Sequence, residues 1–259
     1  SRQLDMPRNA QPFAQQRCNL IGTLGNHEFD NGRTELLRQL TGGNHAKGPF
    51  LEDQWKGARY PTVSSNVIDR ATGEPLLPPY SIYYTGGVRI GVIGAVLKET
   101  PTIVSPSGVA GLRFVDEADA INQSVAELRR HGVRAIVVAL HQGGRQTSYD
   151  GPTNPEADTV TGPVVDIIER LDDEVDVVIS GHAHGFTNAL VPNANGKPIL
   201  VTQAFSAGTA YADIQLQVSR RSRDIVEKSA AVMTTWADQG AGLSPDPQVA
   251  ALVAQADAR

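Results

Sequence analysis

One cysteine in 259 residues, Cys18, leaves no partner for an internal disulfide, so cross-links do not staple this chain and its redox compartment stays open. Aromatic residues make up only 5%, and Trp55, Tyr60 and Trp236 are too scattered to read as a stacking platform. No apolar run approaches the roughly 20 residues needed to span a bilayer. The longest, at 134–140 and 175–179, are short and bounded by polar side chains. A basic excess is also missing. The 23 Lys and Arg face 28 Asp and Glu for a formal charge of −5, which argues against a general nucleic-acid surface. There is no repeat and no low-complexity block, and 40% hydrophobic content excludes a disordered chain. What remains is a globular chain with material for one large domain or two small ones.

Apolar, β-rich runs recur at 19–24, 61–67, 81–84, 88–96, 133–140, 175–180, 198–203 and 211–218. Helical patterns lie between them. Residues 116–131 carry Ala118, Ile121, Val125 and Leu128 at spacings of three and four, with Asp116 and Glu117 at the start. Residues 34–40 and 162–171 read as two further helices. Strands alternating with helices predict an α/β fold, and the near-continuous runs at 133–140 and 175–180 predict central strands buried on both faces. Residues 188–218 read instead as an antiparallel meander or a sheet edge, with its clearest turn at 192–196. Beyond Thr234 the chain loosens, and Asp246-Pro247 then opens a helix as N-cap and first turn. That helix has the character of a connector to another module.

Three polar clusters each follow a predicted strand: Gly25-Asn26-His27-Glu28-Phe29-Asp30, His141-Gln142-Gly143-Gly144 and Gly181-His182-Ala183-His184. Four of the six histidines lie in them. Ligands of open α/β sheets sit beyond the carboxyl ends of the strands, so three such ends can converge on one point. In an extended segment alternate side chains point the same way, and His182 and His184 would then address one site. Each cluster also has a bland explanation. His141 alone reads as a hydrogen-bonded loop residue, and 25–30 reads as a turn with Asp30 capping a helix. His45 reads as a loop residue, His131 as a helix C-terminus favoured by the dipole, Gly86-Gly87 as a hairpin turn and Arg220 to Arg223 as a solvated turn.

Together the three clusters resemble the metallophosphoesterase (calcineurin-like) superfamily, and within it the 5′-nucleotidase branch. Ser65-Asn66-Val67, the strand at 91–94 and Gly-Val-Ala-Gly-Leu-Arg-Phe at 108–114 add to the resemblance, which covers residues 20–218. It implies two packed mixed β-sheets flanked by helices, a four-layer α/β/β/α arrangement. It implies two divalent ions, zinc or manganese, with Asn26, His141 and His182 as ligands of one and His184 of the other. His27 would be the catalytic histidine, held by Asp30. The implied substrates are nucleoside monophosphates or other small phosphate esters, with no nucleic-acid polymer, and the implied location is periplasmic or extracellular. Two ions of this kind deprotonate a water and clamp the phosphoryl oxygens of an in-line displacement.

The family's Asp-x-His and Gly-Asp motifs, which bring the carboxylate ligands, are not found ahead of Asn26. Asp5 is the only acid there, and it follows Ser-Arg-Gln-Leu and not a buried strand. The resemblance thus divides the chain into a catalytic domain over 1–233, lacking its first strands, and a linker with a connector helix over 234–259. That helix would lead toward a C-terminal nucleotide-binding domain. Ser1 is not an initiator methionine, which is compatible with a targeting segment upstream. Phosphodiester, nucleotide-sugar or sulfur-ester hydrolysis on the same metals stays open. So does a binding module that has lost its metal, because neutral ligands compensate the charge of two divalent ions poorly.

Overall fold

The computed structural model describes residues 19–48, 53–147, 159–236, 238 and 244–258; Asp5 and Cys18 lie outside them. In chain order the strands are β1 (Gly22–Thr23), β2 (Thr62–Val63), β3 (Val67–Asp69), β4 (Tyr80–Thr85), β5 (Val88–Val96), β6 (Leu112–Phe114), β7 (Ala135–His141), β8 (Val175–Ile179), β9 (Phe186–Pro192), β10 (Pro198–Ala204), β11 (Ala210–Ser219) and β12 (Asp224–Thr234). The helices are α1 (Gly32–Thr41), α2 (Thr100–Ile103), α3 (Glu117–Arg130), α4 (Pro163–Glu169) and α5 (Pro247–Asp257).

The two near-continuous aliphatic runs become β7 and β8, the middle strands of a six-stranded sheet in the order β4-β5-β7-β8-β10-β9. The four inner strands run parallel, and β4 and β9 close the edges antiparallel. Both faces are covered, as side chains without polar groups require. On one face Ala118, Ile121, Val125 and Leu128 of α3, with Val164 and Ile168 of α4, pack against Ile93, Ile136, Val138 and Val178. On the other, Val137, Val177 and Leu200 meet Ala230 of β12, with Ile214 and Leu216 of β11 beside them. The pairs β1–β2 and β11–β12 thus form a second layer, and the chain is a mixed α/β fold of packed sheets and helices.

The helix at 116–131 forms as its spacing predicts. Asp116 accepts the Asp119 N–H at 3.3 Å as N-cap, and His131 closes the C-terminus. Burial pushes the Asp116 carboxyl up, but hydrogen bonds from Lys98 and Arg170 outweigh it and hold the group at about 2. Asp246 caps α5 by accepting the N–H groups of Gln248 and Val249 at 2.8 and 3.0 Å, and no residue of α5 is buried.

The expected meander is corrected at one joint. β9 and β10 pair antiparallel, but β11 leaves that sheet and pairs with β12. The cause lies in β11 itself, where half-buried Ala212, Ile214 and Leu216 alternate with exposed Asp213, Gln215 and Gln217. Such a strand needs one covered and one solvated face, which the second layer offers and the doubly covered sheet does not. A buried charge fastens the hairpin. Asp176 of β8 is fully enclosed, with the ammonium groups of Lys197 and Lys228 at 3.3 and 3.5 Å. Burial raises the Asp176 carboxyl and lowers the Lys228 ammonium.

Candidate functional site

The parallel strands all end on one side of the sheet. Val96 and His141 are register partners at the ends of β5 and β7, and the Leu97 N–H donates to the His141 carbonyl at 3.1 Å. Asn66 is fully buried. It accepts from the Val96 N–H at 3.0 Å and donates to the Val96 carbonyl at 2.5 Å. It therefore holds the end of β5 and does not face a ligand.

Asn26 and His27 reach this end of the sheet on a 3-10 turn, Asn26–Phe29, directly after β1. Phe29, fully buried among Leu24, Leu36, Val96 and Leu97, anchors the turn. Glu28 closes it by accepting the Gly25 N–H at 2.7 Å, the one half of a capping box that a glycine allows. A side chain at 25 would displace Glu28 and His141. A Cβ there would lie 2.9 Å from Glu28 Oε2 and equally close to Cε1 and Nε2 of His141.

Three of the six candidates meet at one atom. Asn26 Oδ1 stands 3.0 Å from His141 Nε2 and 3.2 Å from His182 Nδ1. Residues separated by more than a hundred positions in sequence thus come into contact. The two rings lie edge to face with centroids 5.2 Å apart. Burial pushes the His141 imidazole down from 6.5 to about 4, helped by the neighbouring His182, His27 and His184. His182 is lowered by the same causes, burial first, and the Glu99 carboxylate opposes the shift. Both rings are therefore neutral near pH 7, with a lone pair to offer.

The loops that present these rings interlock. A Cβ on Gly143 would fall 2.4 Å from both Ala183 Cβ and the Gly181 carbonyl oxygen, and 2.7 Å from Gln203 Oε1. Gln203, buried near the end of β10, donates to the Gly144 carbonyl at 3.0 Å. It lies against Gly185 as well. It braces both histidine-bearing loops, yet sequence reasoning passes over it, because nothing marks a glutamine inside an apolar strand as a brace. Glu28 is missed for a similar reason, lying between two more conspicuous residues. One local reading needs correction. Residues 182 and 184 are not in an extended segment but have φ of 67° and 54°. The tight passage around Gly143 forces the chain to coil there, so alternation does not orient these two side chains.

The remaining candidates stand nearby. His27 Nδ1 pairs with Asp30 Oδ2 at 2.9 Å. The cap of α1 is Asn31 and not Asp30, which leaves the carboxylate to the histidine. His184 is exposed, and its field reaches His141 and His182. His45 lies in a loop, where its Nδ1 accepts the Lys47 N–H at 3.0 Å. Gly86 and Gly87 link β4 to β5, and residues 220–223 link β11 to β12, as hairpin turns.

The donor set fits one divalent ion in part. Metal bonds of about 2.0–2.2 Å at tetrahedral or octahedral angles set neighbouring ligand atoms about 3.0–3.5 Å apart. Asn26 Oδ1 stands at such spacings from His141 Nε2 and His182 Nδ1. All three donors are neutral. Among the described residues no three His, Cys, Asp or Glu side chains gather into a metal-holding group, so the amide is essential to the cluster. Around His184 the described residues bring no group of three such side chains together for a second ion, and they do not fit it.

The depressed imidazole makes stability depend on pH. An unfolded His141 takes up a proton near pH 6.5, whereas the folded ring resists it until about pH 4. The contribution of the neutral ring is therefore intact above pH 6.5, falls as pH drops, and is lost by about pH 4. In the presence of a chelator, the urea midpoint of the wild type should fall more steeply across this window than that of His141→Asn. Parallel curves would contradict the shift.

Packed sheets whose strand ends deliver an amide, after β1, and two neutral imidazoles, at the ends of β7 and β8, to one point have the architecture of a metallophosphatase. The calcineurin-like phosphoesterase family pattern matches residues 5–186. The chain belongs to that family of phosphoric ester hydrolases, within the metallophosphatase superfamily that contains the 5′-nucleotidases. Over 233 residues it is 37% identical to Endonuclease YhcR of Bacillus subtilis strain 168, a match covering 90% of this chain and 18% of that protein. It is 34% identical over 230 residues to the cell wall protein Lmo0130 of Listeria monocytogenes, covering 83% and 28%. Among solved structures, a 5′-nucleotidase precursor from Thermus thermophilus superposes with a TM-score of 0.72 at 25% identity, over 99% of this chain and 46% of that one. The chain spans less than a third of the two curated relatives and less than half of the solved chain.

Proposed function

We propose that this chain is the catalytic part of a metal-dependent phosphoric ester hydrolase acting on nucleoside 5′-monophosphates. The observation that carries this reading is the contact of two neutral imidazoles with the single amide oxygen of Asn26. Asn26, His141 and His182 would hold one divalent ion, zinc or manganese, both of which accept imidazole and amide ligands. When bound, such an ion polarises a phosphoryl oxygen and acidifies a water. His184 is proposed for a second ion, whose carboxylate ligands would come from outside the described residues.

His27 would act on the substrate directly. Asp30 would accept a hydrogen bond from its Nδ1–H, which fixes the tautomer and the ring orientation and leaves Nε2 for the ester. In its protonated form His27 would stabilise charge developing on the phosphoryl group and give its proton to the departing alkoxide. The loops behind Gly143 and Gln203 would keep the imidazoles in place while this happens. The domain division at 233/234, the C-terminal nucleotide-binding domain and an extracytoplasmic location belong to the same proposal. The likeness to a cell wall protein and to a 5′-nucleotidase precursor supports them.

A second reading, cleavage of polynucleotides, is favoured by the likeness to YhcR. A net charge of −5 speaks against a polyanionic substrate. Phosphate release from AMP by the full chain, assayed beside nicking of plasmid DNA, separates the two. AMP turnover that rises with Mn²⁺ or Zn²⁺ and stops with EDTA is expected; plasmid nicking without AMP turnover would replace the proposal.

A further inference from the structure

The turn after β5 carries a carboxylate that no structural bond accounts for. Glu99 is exposed, and it precedes α2 as the N-cap residue without making a side-chain cap bond. Its backbone is nevertheless fixed against the imidazole end of the sheet. The Leu97 N–H donates to the His141 carbonyl at 3.1 Å, and the hydroxyl of buried Thr100 donates to the Leu97 carbonyl at 2.7 Å. Between these two residues the Lys98 N–H donates to the enclosed Glu117 carboxylate at 3.0 Å. The Glu99 carbonyl accepts the Thr102 N–H at 2.8 Å. A segment pinned on both sides thus presents its exposed acid in a set place.

The neighbouring acids are otherwise engaged. Asp30 faces His27 at 2.9 Å, and Asp116 is matched by Lys98 at 2.9 Å and by Arg170. Glu28 accepts the Gly25 N–H, and Glu117 is enclosed on the N–H of Lys98. Among the described residues the Glu99 carboxylate makes no hydrogen bond or ion pair. Its charge still reaches the cluster, where it opposes the lowering of the His182 imidazole. Beside a site for phosphate dianions a free carboxylate repels the substrate unless a cation stands between them. The donors that meet at Asn26 Oδ1 bring a divalent ion no negative charge, and an uncompensated charge is costly to hold.

We propose that Glu99 supplies counter-charge to the metal centre, its carboxylate balancing the divalent ion that Asn26, His141 and His182 would hold. This rests on the proposed metal-dependent hydrolysis and adds a residue outside the donor set. Glu99 is a positioning residue. It touches neither the substrate nor the reacting atoms, and it acts through the affinity of the ion. Groups outside a metal's own ligands change affinity by about 10–100-fold. An exposed charge acts through solvent over a distance that salt shortens from about 10 Å at 0.1 M to about 3 Å at 1 M.

Calorimetric titration of the metal-free full chain with Mn²⁺, beside Glu99→Gln and Glu99→Asp, tests this. At about 0.1 M salt Glu99→Gln should bind Mn²⁺ about tenfold more weakly than the wild type, and at about 1 M salt the gap should shrink to about twofold. Glu99→Asp keeps the charge and should stay close to the wild type. The urea midpoint of the metal-free protein should not move, because no bond to the side chain is lost. Equal Mn²⁺ affinity in the wild type and Glu99→Gln overturns the inference. So does a gap that salt leaves unchanged, a loss that Glu99→Asp shares in full, or a wild type that binds no Mn²⁺. Phosphate release from AMP separates the two levels. A wild type that shows the expected affinity gap but releases no phosphate fails the proposed reaction and leaves Glu99 in its role, whereas release with equal affinities fails the inference alone.

Discussion

Replacing His27 by alanine is expected to lower kcat for phosphate release from AMP by about 10²–10⁴-fold, with KM much less affected. A side chain that gives a proton to the leaving oxygen and meets charge as it develops acts mainly in the transition state. Its removal therefore lowers kcat without a matching loss of ground-state binding. The side chain is 78% exposed, so truncation removes little packing, and the urea midpoint should stay near that of the wild type. Asp30→Asn should fall between wild type and His27→Ala, because the ring survives but loses the carboxylate that orients it. Equal turnover by wild type and His27→Ala would remove His27 from the chemistry.

Gly143→Ala should damage both folding and activity. The added methyl carbon would stand 2.4 Å from Ala183 Cβ and from the Gly181 carbonyl oxygen. Neither can swing away, since one is attached directly to backbone and the other belongs to it. A loss of about 3 kcal/mol is expected from such overpacking, together with loss of AMP hydrolysis as the two loops separate. Ala183→Gly removes one of the three close contacts, so the double variant should recover part of the stability lost in Gly143→Ala. The non-additive term of that cycle measures the interlock. A Gly143→Ala protein with wild-type stability and turnover would show that the loops do not constrain each other.

Much of this arrangement is legible in the residues themselves. The sheet centre follows from uninterrupted aliphatic runs, and the boundaries of β5 follow from its flanking turns. α3 follows from its spacing of three and four with acids at the start and arginines at the end. Meeting of strand ends is legible only as a topological rule. A sequence has no coordinate that brings residue 26 to residue 141, because β1 and β7 belong to different sheets and meet only where one layer packs on the other. β12 escapes such a reading, because Glu227, Lys228 and Ser229 interrupt its apolar pattern, and two of these polar residues are tolerated on an exposed face. The left-handed backbone at 182 and 184 is hidden for a different reason. Neither residue is glycine, and the distortion is imposed by a loop nearly forty residues away. Gln203 and Glu28 share that invisibility, since their work is to hold backbone groups of other segments.

Diffraction from crystals soaked in Zn²⁺, with data collected at the zinc absorption edge, tests most directly whether distant strand tips share one inorganic centre. The account predicts an anomalous peak about 2.0–2.2 Å from Asn26 Oδ1 and from one nitrogen each of His141 and His182. Crystals of active enzyme with zinc bound elsewhere, and none between those three side chains, would contradict it.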